Sequence, residues 1–237
     1  MNARPAVRSV FSWLVGLAGC AAGLLHAAEP SVAPGVNDRY ATEEGRKSAI
    51  QIFEGADRET YQKPDEVVRN MDVEEGSVVC EVGAGSGYFT PYLSKAVGAS
   101  GKVYAEDPQP EFLDVLKQKI ATQKLGNVAV VLGTYTDTNL PDGACDVAFV
   151  LDAYHHFEWP EPMLAAMAKD LKPGGRLIIV DWFRRQNPVF DHWGIDAKKH
   201  LRLDRDGVVR EIESHGWKNV DARSFLDHQY FLVFEPR

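Results

Sequence analysis

Three glycines mark the part of the sequence with the clearest capacity to hold a ligand. Gly83, Gly85 and Gly87 follow an apolar run, residues 78–82, and precede a helical pattern. Glycines at such a turn let the backbone approach a ligand without interference from a Cβ atom. The glycine that a dinucleotide fingerprint requires at its sixth position is replaced here by Tyr88. The spacing therefore favours a ligand other than a dinucleotide, with a plain glycine-rich turn as the alternative.

Charged and titratable side chains accompany these glycines. Glu81 lies two residues before Gly83, where its carboxylate can hold an ammonium group of a ligand. His155 and His156 follow a later apolar run, and ligand sites in open α/β sheets gather at such strand ends. Histidine can act as a general base near neutral pH, and the alternative is that the pair only orients its loop. Adjacent histidines lack a third ligand at motif spacing, so no metal site is predicted.

The elements that position these residues alternate between strand and helix patterns. Strands are predicted at residues 78–82, 102–106, 128–132, 146–151, 176–181, 220–225 and 230–234, and helices at 64–71, 88–97, 111–123, 162–171 and 206–215. Alternation of this kind predicts a parallel sheet covered by helices on both faces, and the last two strands form a hairpin. We therefore expect a doubly wound α/β fold with a mostly parallel seven-stranded sheet and a C-terminal antiparallel hairpin.

Charge and cysteine content limit the classes of partner. The chain has a formal net charge of −8, so it lacks the broad basic surface that nucleic-acid binding requires. A small or neutral substrate fits this balance better. Three cysteines are too few for a disulfide framework, and Cys80 and Cys145 are expected to be small buried residues rather than a disulfide.

The first 28 residues have the composition of a secretory signal peptide. Arg4 and Arg8 form a basic start, residues 10–25 are apolar, and residues 27–28 are alanines suited to a cleavage site. An uncleaved anchor helix is the alternative, although the apolar run is short for crossing a bilayer. We expect an exported, periplasmic protein with no stable membrane span after cleavage of residues 1–28.

A second processing route is open at the same terminus. Residues 17–20 resemble a bacterial lipobox, in which Cys20 would carry a lipid anchor. The residues after Cys20 stay apolar, which favours ordinary cleavage. Residues 29–48 are polar and interrupted by proline and glycine, so they are predicted to be a tether. Residues 49–237 are predicted to form the main domain, and its oligomeric state is open.

The glycine stretch closely resembles motif I of class I S-adenosylmethionine-dependent methyltransferases. The resembling segment is residues 79–90, and residues 101–107, 140–152 and 171–180 resemble the motifs of strands two, four and five in the order of the family. Together the resemblance covers about residues 50–235. It implies S-adenosylmethionine as the cofactor and a methyl acceptor, most simply a small molecule, as the partner.

The resemblance also implies roles for individual residues. Asp107 takes the position of an acid that binds both ribose hydroxyls, with Glu106 as the neighbouring alternative. Many relatives have Gly-Asp after strand three, but this chain has a threonine there, so Thr134 and Tyr135 are candidates for contact with adenine. The full predicted cofactor set is Glu81, Gly83, Gly85, Gly87, Asp107, Thr134, Tyr135 and Asp152, and His155 is the predicted catalytic residue.

Two further segments are candidates for the substrate side. Residues 58–62 resemble a segment that folds over the cofactor in some relatives, and a solvated charged helix end is the alternative. Residues 182–202 form a long irregular stretch that suits a substrate wall, with His200 and Arg202 as candidates, and a surface excursion is the alternative.

Three functions remain open from the sequence. The favoured one is a small-molecule methyltransferase. The second is a methyltransferase that modifies proteins or peptides of the cell envelope. The third is a non-catalytic protein that uses the same fold to bind a nucleoside or a partner, which the intact set of predicted cofactor residues disfavours.

Overall fold

A seven-stranded β-sheet runs through the computed structural model, which describes Met1 and residues 30–237. The strands are β1 (Val78–Val82), β2 (Lys102–Asp107), β3 (Val128–Leu132), β4 (Cys145–Leu151), β5 (Leu171–Trp182), β6 (Trp217–Arg223) and β7 (Gln229–Pro236). Their order is β3-β2-β1-β4-β5-β7-β6, in which β1 to β5 are parallel and β7 is antiparallel to both of its neighbours. The predicted fold class is confirmed, including the antiparallel pair at the C-terminus.

Helices cover both faces of this sheet. They are α1 (Glu43–Phe53), α2 (Arg58–Gln62), α3 (Pro64–Arg69), α4 (Thr90–Val97), α5 (Pro110–Gln123), α6 (Pro160–Asp170), α7 (Pro188–Trp193), α8 (Ala197–His200) and α9 (Arg205–Ser214). Short 3₁₀ helices occupy Asp38–Ala41 and Tyr154–His156. Proline opens α3, α5, α6 and α7, where its missing N–H would have no helical partner in any case.

The core lies in two layers, one on each face of the central strands. Phe149 and Ile178 belong to one layer, while Ala148 and Leu177 alternate with them and belong to the other. All four side chains are 0% exposed, so β4 and β5 are apolar on both faces, as a covered parallel sheet requires. This packing fixes the carboxyl ends of the parallel strands along one edge, and their loops meet there.

The N-terminal boundary of the domain differs from the predicted tether at residues 29–48. Helix α1 begins at Glu43, because the Thr42 side chain caps it by accepting a hydrogen bond from the backbone N–H of Gly45 at 3.1 Å. Tyr40 is 8% exposed and packs edge-on against Phe112. The single apolar ring of Tyr40 gives no periodic signal, and for this reason the sequence pattern suggested a tether.

A disulfide joins Cys80 and Cys145, so the expectation of two separate buried thiols is wrong. Cys80 lies in β1 and Cys145 begins the neighbouring strand β4. Their Cα atoms are 5.9 Å apart, within the range that a disulfide spans. Both cysteines are fully buried in the same core layer, and strand adjacency brings them together across 65 residues of sequence.

The predicted signal peptide, residues 1–28, and the lipobox at Cys20 lie outside the described residues, except for Met1. Export therefore stays a prediction. Within residues 30–237, no helix has both the length and the apolar character needed to cross a membrane.

Candidate active site

A cavity opens where the carboxyl ends of β1, β2 and β4 meet, and with its mouth it contains about 1190 Å³ of empty space. Its wall includes the sequence-predicted residues Gly83, Gly85, Asp107, Thr134, Tyr135, Asp152, His155 and His200. Glu81, Gly87 and Arg202 do not belong to this wall. The fold thus gathers most of the predicted residues around one space.

The glycine loop presents bare backbone to the cavity. Gly83 has a φ of 76°, in the left-handed region that favours glycine. A Cβ atom added there would lie 2.6 Å from the Cβ of Ala153, which is too close for any side chain. At Gly87 an added Cβ would lie 2.3 Å from Leu116, so this glycine serves helix packing instead of lining the cavity. Gly83 therefore shapes the cavity, whereas Gly87 allows close packing beneath the loop.

Asp107 ends β2 and holds the glycine loop in place. Its two carboxylate oxygens accept hydrogen bonds from the backbone N–H groups of Gly85 and Gln109, both at 2.8 Å. Each oxygen has a second lone pair, so the carboxylate can also accept hydroxyl groups of a ligand. Burial raises the pKa of Asp107 to about 6, against the opposing effect of the two N–H donors.

Glu106 lies beside Asp107 and also lines the cavity. Its Oε2 accepts from the Gly83 N–H at 3.3 Å, while its Oε1 is buried without a partner among the described residues. Burial and the neighbouring Asp107 raise the pKa of Glu106 well above its ordinary value. A Cβ atom at Gly133 would collide with Oε1, so that glycine makes room for this carboxyl group.

Glu81 is placed differently from the sequence expectation. It is 5% exposed beneath the glycine loop, and its carboxylate accepts a hydrogen bond from the Thr90 hydroxyl at 2.6 Å. Burial raises its pKa to about 7. Because its side chain packs under the loop and does not line the cavity, the arrangement does not support direct contact between Glu81 and an ammonium group. Its observed role is to tie β1 to the start of α4.

The loop after β3 carries Thr134 and Tyr135 into the wall. The Thr134 hydroxyl accepts the N–H groups of Thr136 and Asp137, at 3.2 and 2.9 Å, so it organises the loop. The Tyr135 hydroxyl accepts a hydrogen bond from Gln109 at 2.5 Å, beside Asp107. Tyr135 thus offers a ring to the cavity, while the Thr134 hydroxyl is engaged locally.

Asp152 sits at the end of β4 in an unusual backbone conformation, with a φ of 53°. Its carboxylate accepts hydrogen bonds from Gln62 at 2.8 Å, from Arg58 at 3.4 Å and from Gln229. Burial raises its pKa to about 6, and Arg58 opposes that rise. Arg58 is 8% exposed and Gln62 is 0% exposed, so the interpretation of residues 58–62 as a solvated helix end is wrong.

His155 is oriented by a buried carboxylate on the neighbouring strand. Its ring Nδ1 lies 2.8 Å from Oδ1 of Asp181, and its backbone N–H donates to Oδ2 at 3.0 Å. Burial lowers the pKa of His155, but the attraction of Asp181 outweighs it, and the net shift is upward. The opposite ring nitrogen, Nε2, is left for other contacts in the cavity.

Two more histidines share this part of the wall, and we call His155, His156 and His200 the histidine cluster. One ring nitrogen of each lies within 4.8 Å of those of the other two. Burial lowers the pKa of His156 well below its ordinary value, and His155 and His200 add to this effect. Burial also lowers the pKa of His200 to about 4, with His155 adding to the effect. The sequence showed no third ligand at motif spacing, because His200 lies on α8 and approaches the other two histidines only in the folded chain.

The segment after β5 builds an aromatic wall, formed by Tyr61, Trp182, Phe190 and Trp193. Trp182 contacts each of the other three rings, with centroids 5.0 to 5.6 Å apart. All four residues line the cavity, so the surface-excursion interpretation of residues 182–202 is wrong for this part.

Arg202 does not serve the cavity as the sequence suggested. Its guanidinium forms a two-point ion pair with Glu211 of α9, at 2.6 and 2.7 Å. The Tyr154 hydroxyl donates to the same carboxylate at 2.7 Å. Arg202 therefore anchors the end of the substrate-wall segment to α9.

Comparison with known proteins agrees with this architecture. A family model described as a methyltransferase domain matches residues 80–179. The chain is 28% identical over 156 residues to an uncharacterized methyltransferase, YcgJ, of Bacillus subtilis, which covers 64% of this chain and 57% of that relative. It is 25% identical over 161 residues, 68% of each chain, to a demethylmenaquinone methyltransferase of Shouchella clausii.

A solved structure shows the same fold over nearly its whole length. It is a SAM-dependent methyltransferase from Aquifex aeolicus, with a TM-score of 0.73 and 27% identity, covering 79% of this chain and 96% of that one. The matched family uses S-adenosylmethionine as its cofactor, in agreement with the sequence expectation. In its motifs, its fold and the matched domain, the chain is similar to class I S-adenosylmethionine-dependent methyltransferases.

Proposed function

We propose that this protein transfers the methyl group of S-adenosylmethionine to a small molecule held beside the aromatic wall. One observation carries the proposal: a single cavity is lined both by Gly83 and Asp107 and by His155 and the aromatic wall. We call these the cofactor half and the acceptor half of the cavity. A reaction between two bound molecules needs such continuity, because the reacting atoms must meet in one orientation.

The cofactor half has the chemistry that the cofactor requires. The bare backbone at Gly83 forms a cradle that a Cβ atom would fill. The buried Asp107 carboxylate suits the two ribose hydroxyls, and the ring of Tyr135 beside it suits the adenine. Asp152, held by Gln62 and Arg58, is the carboxylate that suits the ammonium group, the role that the sequence suggested for Glu81.

The chain supplies orientation and proton handling to the reaction. When bound, the cofactor provides an electrophilic methyl group on a sulfonium centre. His155 is oriented by Asp181 so that Nε2 remains for contact with the acceptor. The aromatic wall supplies flat apolar surface that excludes water from the reacting groups. In this arrangement the protein acts by positioning both molecules, with His155 as the polar contact to the acceptor.

A small acceptor is supported by the character of the acceptor half. Its surface consists largely of rings, from Tyr61, Trp182, Phe190 and Trp193. Pockets for small molecules are mostly apolar, with a few polar groups that fix orientation. Relatives named as demethylmenaquinone methyltransferases also support a small acceptor over a protein or peptide.

Export is a further part of the proposal. The basic, apolar and small-residue sequence of residues 1–28 supports it. The disulfide between Cys80 and Cys145 also supports it, because disulfides form and persist in oxidising compartments such as the periplasm. The intact mass of the protein from its host tests this point: a mature N-terminus at Ala28 or Glu29 supports export, whereas a full-length form contradicts it.

Calorimetry and a turnover assay together test the proposed reaction. The protein is titrated with S-adenosylhomocysteine, the demethylated cofactor, and then incubated with a labelled methyl donor and fractionated metabolites. We expect binding of one molecule per chain and label in a small-molecule fraction. The Trp193→Ala variant is expected to retain binding and lose turnover. Binding without any labelled product would favour a non-catalytic binding protein. Label in envelope proteins would favour a methyltransferase that modifies proteins or peptides of the cell envelope.

A further inference from the structure

We propose that the histidine cluster, His155, His156 and His200, binds a divalent transition-metal ion, and that zinc is the ion that fits it best. All three side chains line the cavity, and one nitrogen of each lies within 4.8 Å of the other two. Zinc binds imidazole nitrogens, and zinc sites with three protein ligands leave a fourth position open. Metal binding here does not depend on the proposed methyl transfer. With zinc bound, His155 would meet the acceptor through the ion instead of directly through Nε2.

The hydrogen bonds of His155 leave its Nε2 atom available as a metal ligand. Both oxygens of Asp181 accept backbone N–H groups, from His155 at 3.0 Å and Trp182 at 2.8 Å, and Oδ1 also lies 2.8 Å from the ring Nδ1. A carboxylate only accepts, so Nδ1 carries a hydrogen and the lone pair of the neutral ring is on Nε2. A carboxylate that holds a histidine in this way is the usual outer partner of a metal-bound imidazole.

The side-chain amide of Asn37 orients the ring of His156 in the same way. The Asn37 side-chain NH₂ donates to the carbonyl of His156 at 3.0 Å and to Glu158 at 3.2 Å. The amide oxygen therefore faces the ring and accepts from Nδ1 at 3.1 Å. Nε2 again keeps the lone pair, and the Tyr40 hydroxyl lies 3.5 Å from it. Two independent outer partners thus select the same tautomer in adjacent histidines.

His200 completes the set from a distant part of the chain. Its ring centroid lies 4.9 Å from that of His155 and 5.4 Å from that of His156, and it meets both rings nearly edge-on. Zinc–nitrogen bonds of about 2.0–2.1 Å in a tetrahedron place ligand nitrogens about 3.4 Å apart. The observed limit of 4.8 Å exceeds this by about 1.4 Å, so zinc binding requires the three rings to move closer together.

The ligand set also indicates which ions are excluded. Only imidazole nitrogens belong to this cluster, and magnesium and calcium prefer oxygen ligands. Since the three side chains form part of the cavity wall, the open coordination position faces the space of the acceptor half. Water or an anionic oxygen, nitrogen or sulfur atom of the acceptor can occupy that position.

The experiment measures zinc binding directly. Untagged protein is freed of metal with a chelator and titrated with Zn²⁺ in competition with a chromophoric chelator. We expect one zinc ion per chain, and excess Mg²⁺ is expected not to displace it. The His200→Ala and His200→Gln variants are expected to lower zinc affinity at least about 100-fold, because even outer-partner changes cost 10- to 100-fold.

A matched histidine provides the control. His192 is exposed on α7, outside the cluster, so His192→Ala is expected to bind zinc as the unmodified protein does. Cooperative unfolding of each variant establishes that it is folded, and His156→Ala provides a second cluster variant. The proposal is overturned if the unmodified protein binds no stoichiometric zinc, if Mg²⁺ displaces it, or if folded cluster variants bind zinc as tightly as His192→Ala.

Discussion

The two halves of the cavity are built in different ways. The cofactor half consists of residues that directly follow strands, such as Gly83 after β1 and Asp107 at the end of β2. The acceptor half is assembled from residues far apart in sequence: the ring of Tyr61 packs against that of Trp182, and Asn37 reaches His156 across 119 residues. Strand ends are positioned by the sheet itself, whereas the acceptor half depends on long-range pairing of irregular segments.

The two halves of the cavity should therefore respond differently to substitution. Backbone conformation shapes the cofactor half, so a single added carbon atom is enough to disturb it. Side chains shape the acceptor half, so exchange of those side chains should alter substrate use while donor binding persists. The four predictions below test that division.

The largest effect is expected from Gly83→Ala. A Cβ atom at this position would lie 2.6 Å from Ala153 at the edge of the cofactor half. We expect affinity for S-adenosylhomocysteine to fall at least about 100-fold, or about 2.7 kcal/mol. Gly143→Ala is the matched control, because Gly143 also has a positive φ, 61°, but an added Cβ there meets nothing within 4 Å. Equal loss in the two variants, measured by calorimetry, would contradict a special role for Gly83.

The second effect belongs to the acceptor half. His155→Ala removes the ring that Asp181 orients toward the cavity. We expect turnover to fall about 100-fold, in the range for loss of a positioned polar group, with donor affinity nearly unchanged. Steady-state kinetics and calorimetry on the same preparation measure both. Near-normal turnover with weakened donor binding would assign His155 to the cofactor half.

A smaller effect on binding is expected at Asp107. Loss of a charged acceptor of hydrogen bonds costs about 1.5–3 kcal/mol, so Asp107→Ala should weaken donor binding about tenfold or more. Its pKa of about 6 adds a pH dependence: the carboxylate gains a proton as pH falls through 6, so affinity should decrease between pH 8 and pH 5. Asp107→Asn should reduce that dependence. A larger loss in Glu106→Ala would move the ribose contact to Glu106.

The smallest effect on the cavity is expected from removal of the disulfide. Replacing both Cys80 and Cys145 by alanine removes a link that spans 65 residues of sequence. We expect the free energy of unfolding to fall by about 2–4 kcal/mol, with donor affinity preserved because both residues lie in the core beneath the site. Urea denaturation with and without a reducing agent measures the first quantity. A large loss of donor affinity in folded protein would show that the disulfide also shapes the cavity.

Features at strand ends and contacts made across the fold also differ in how well the sequence predicts them. Apolar runs bounded by glycine and proline located every strand. Gly83, Gly85 and Asp107, which the resemblance assigned to the cofactor, line one cavity. Local patterns did not locate α1 or the pairing of Arg58 with Asp152, since no periodic signal marks contacts made across the fold. Glu81 and Arg202 were predicted to face ligands, but Glu81 accepts a hydrogen bond from Thr90 and Arg202 forms an ion pair with Glu211 inside the protein.

Two further differences between prediction and structure come from contacts between parts of the chain that are distant in sequence. The Cys80–Cys145 disulfide requires β1 and β4 to be neighbours, which spacing in sequence does not reveal. The third histidine of the cluster, His200, is brought to its place by α8, a helix of four residues with no amphipathic pattern. The sequence named His200 as a candidate for the substrate side, but its approach to His155 and His156 depends on where this short helix lies in the fold.

A crystal structure with bound S-adenosylhomocysteine would show whether the cavity is divided in this way. We predict that the ribose hydroxyls lie against Asp107 and that the amino-acid end lies beside Gly83 and Asp152. The sulfur atom should then face the acceptor half, toward His155. A ligand whose ribose lies against the aromatic wall, or that binds outside this cavity, would contradict the division into a cofactor half and an acceptor half.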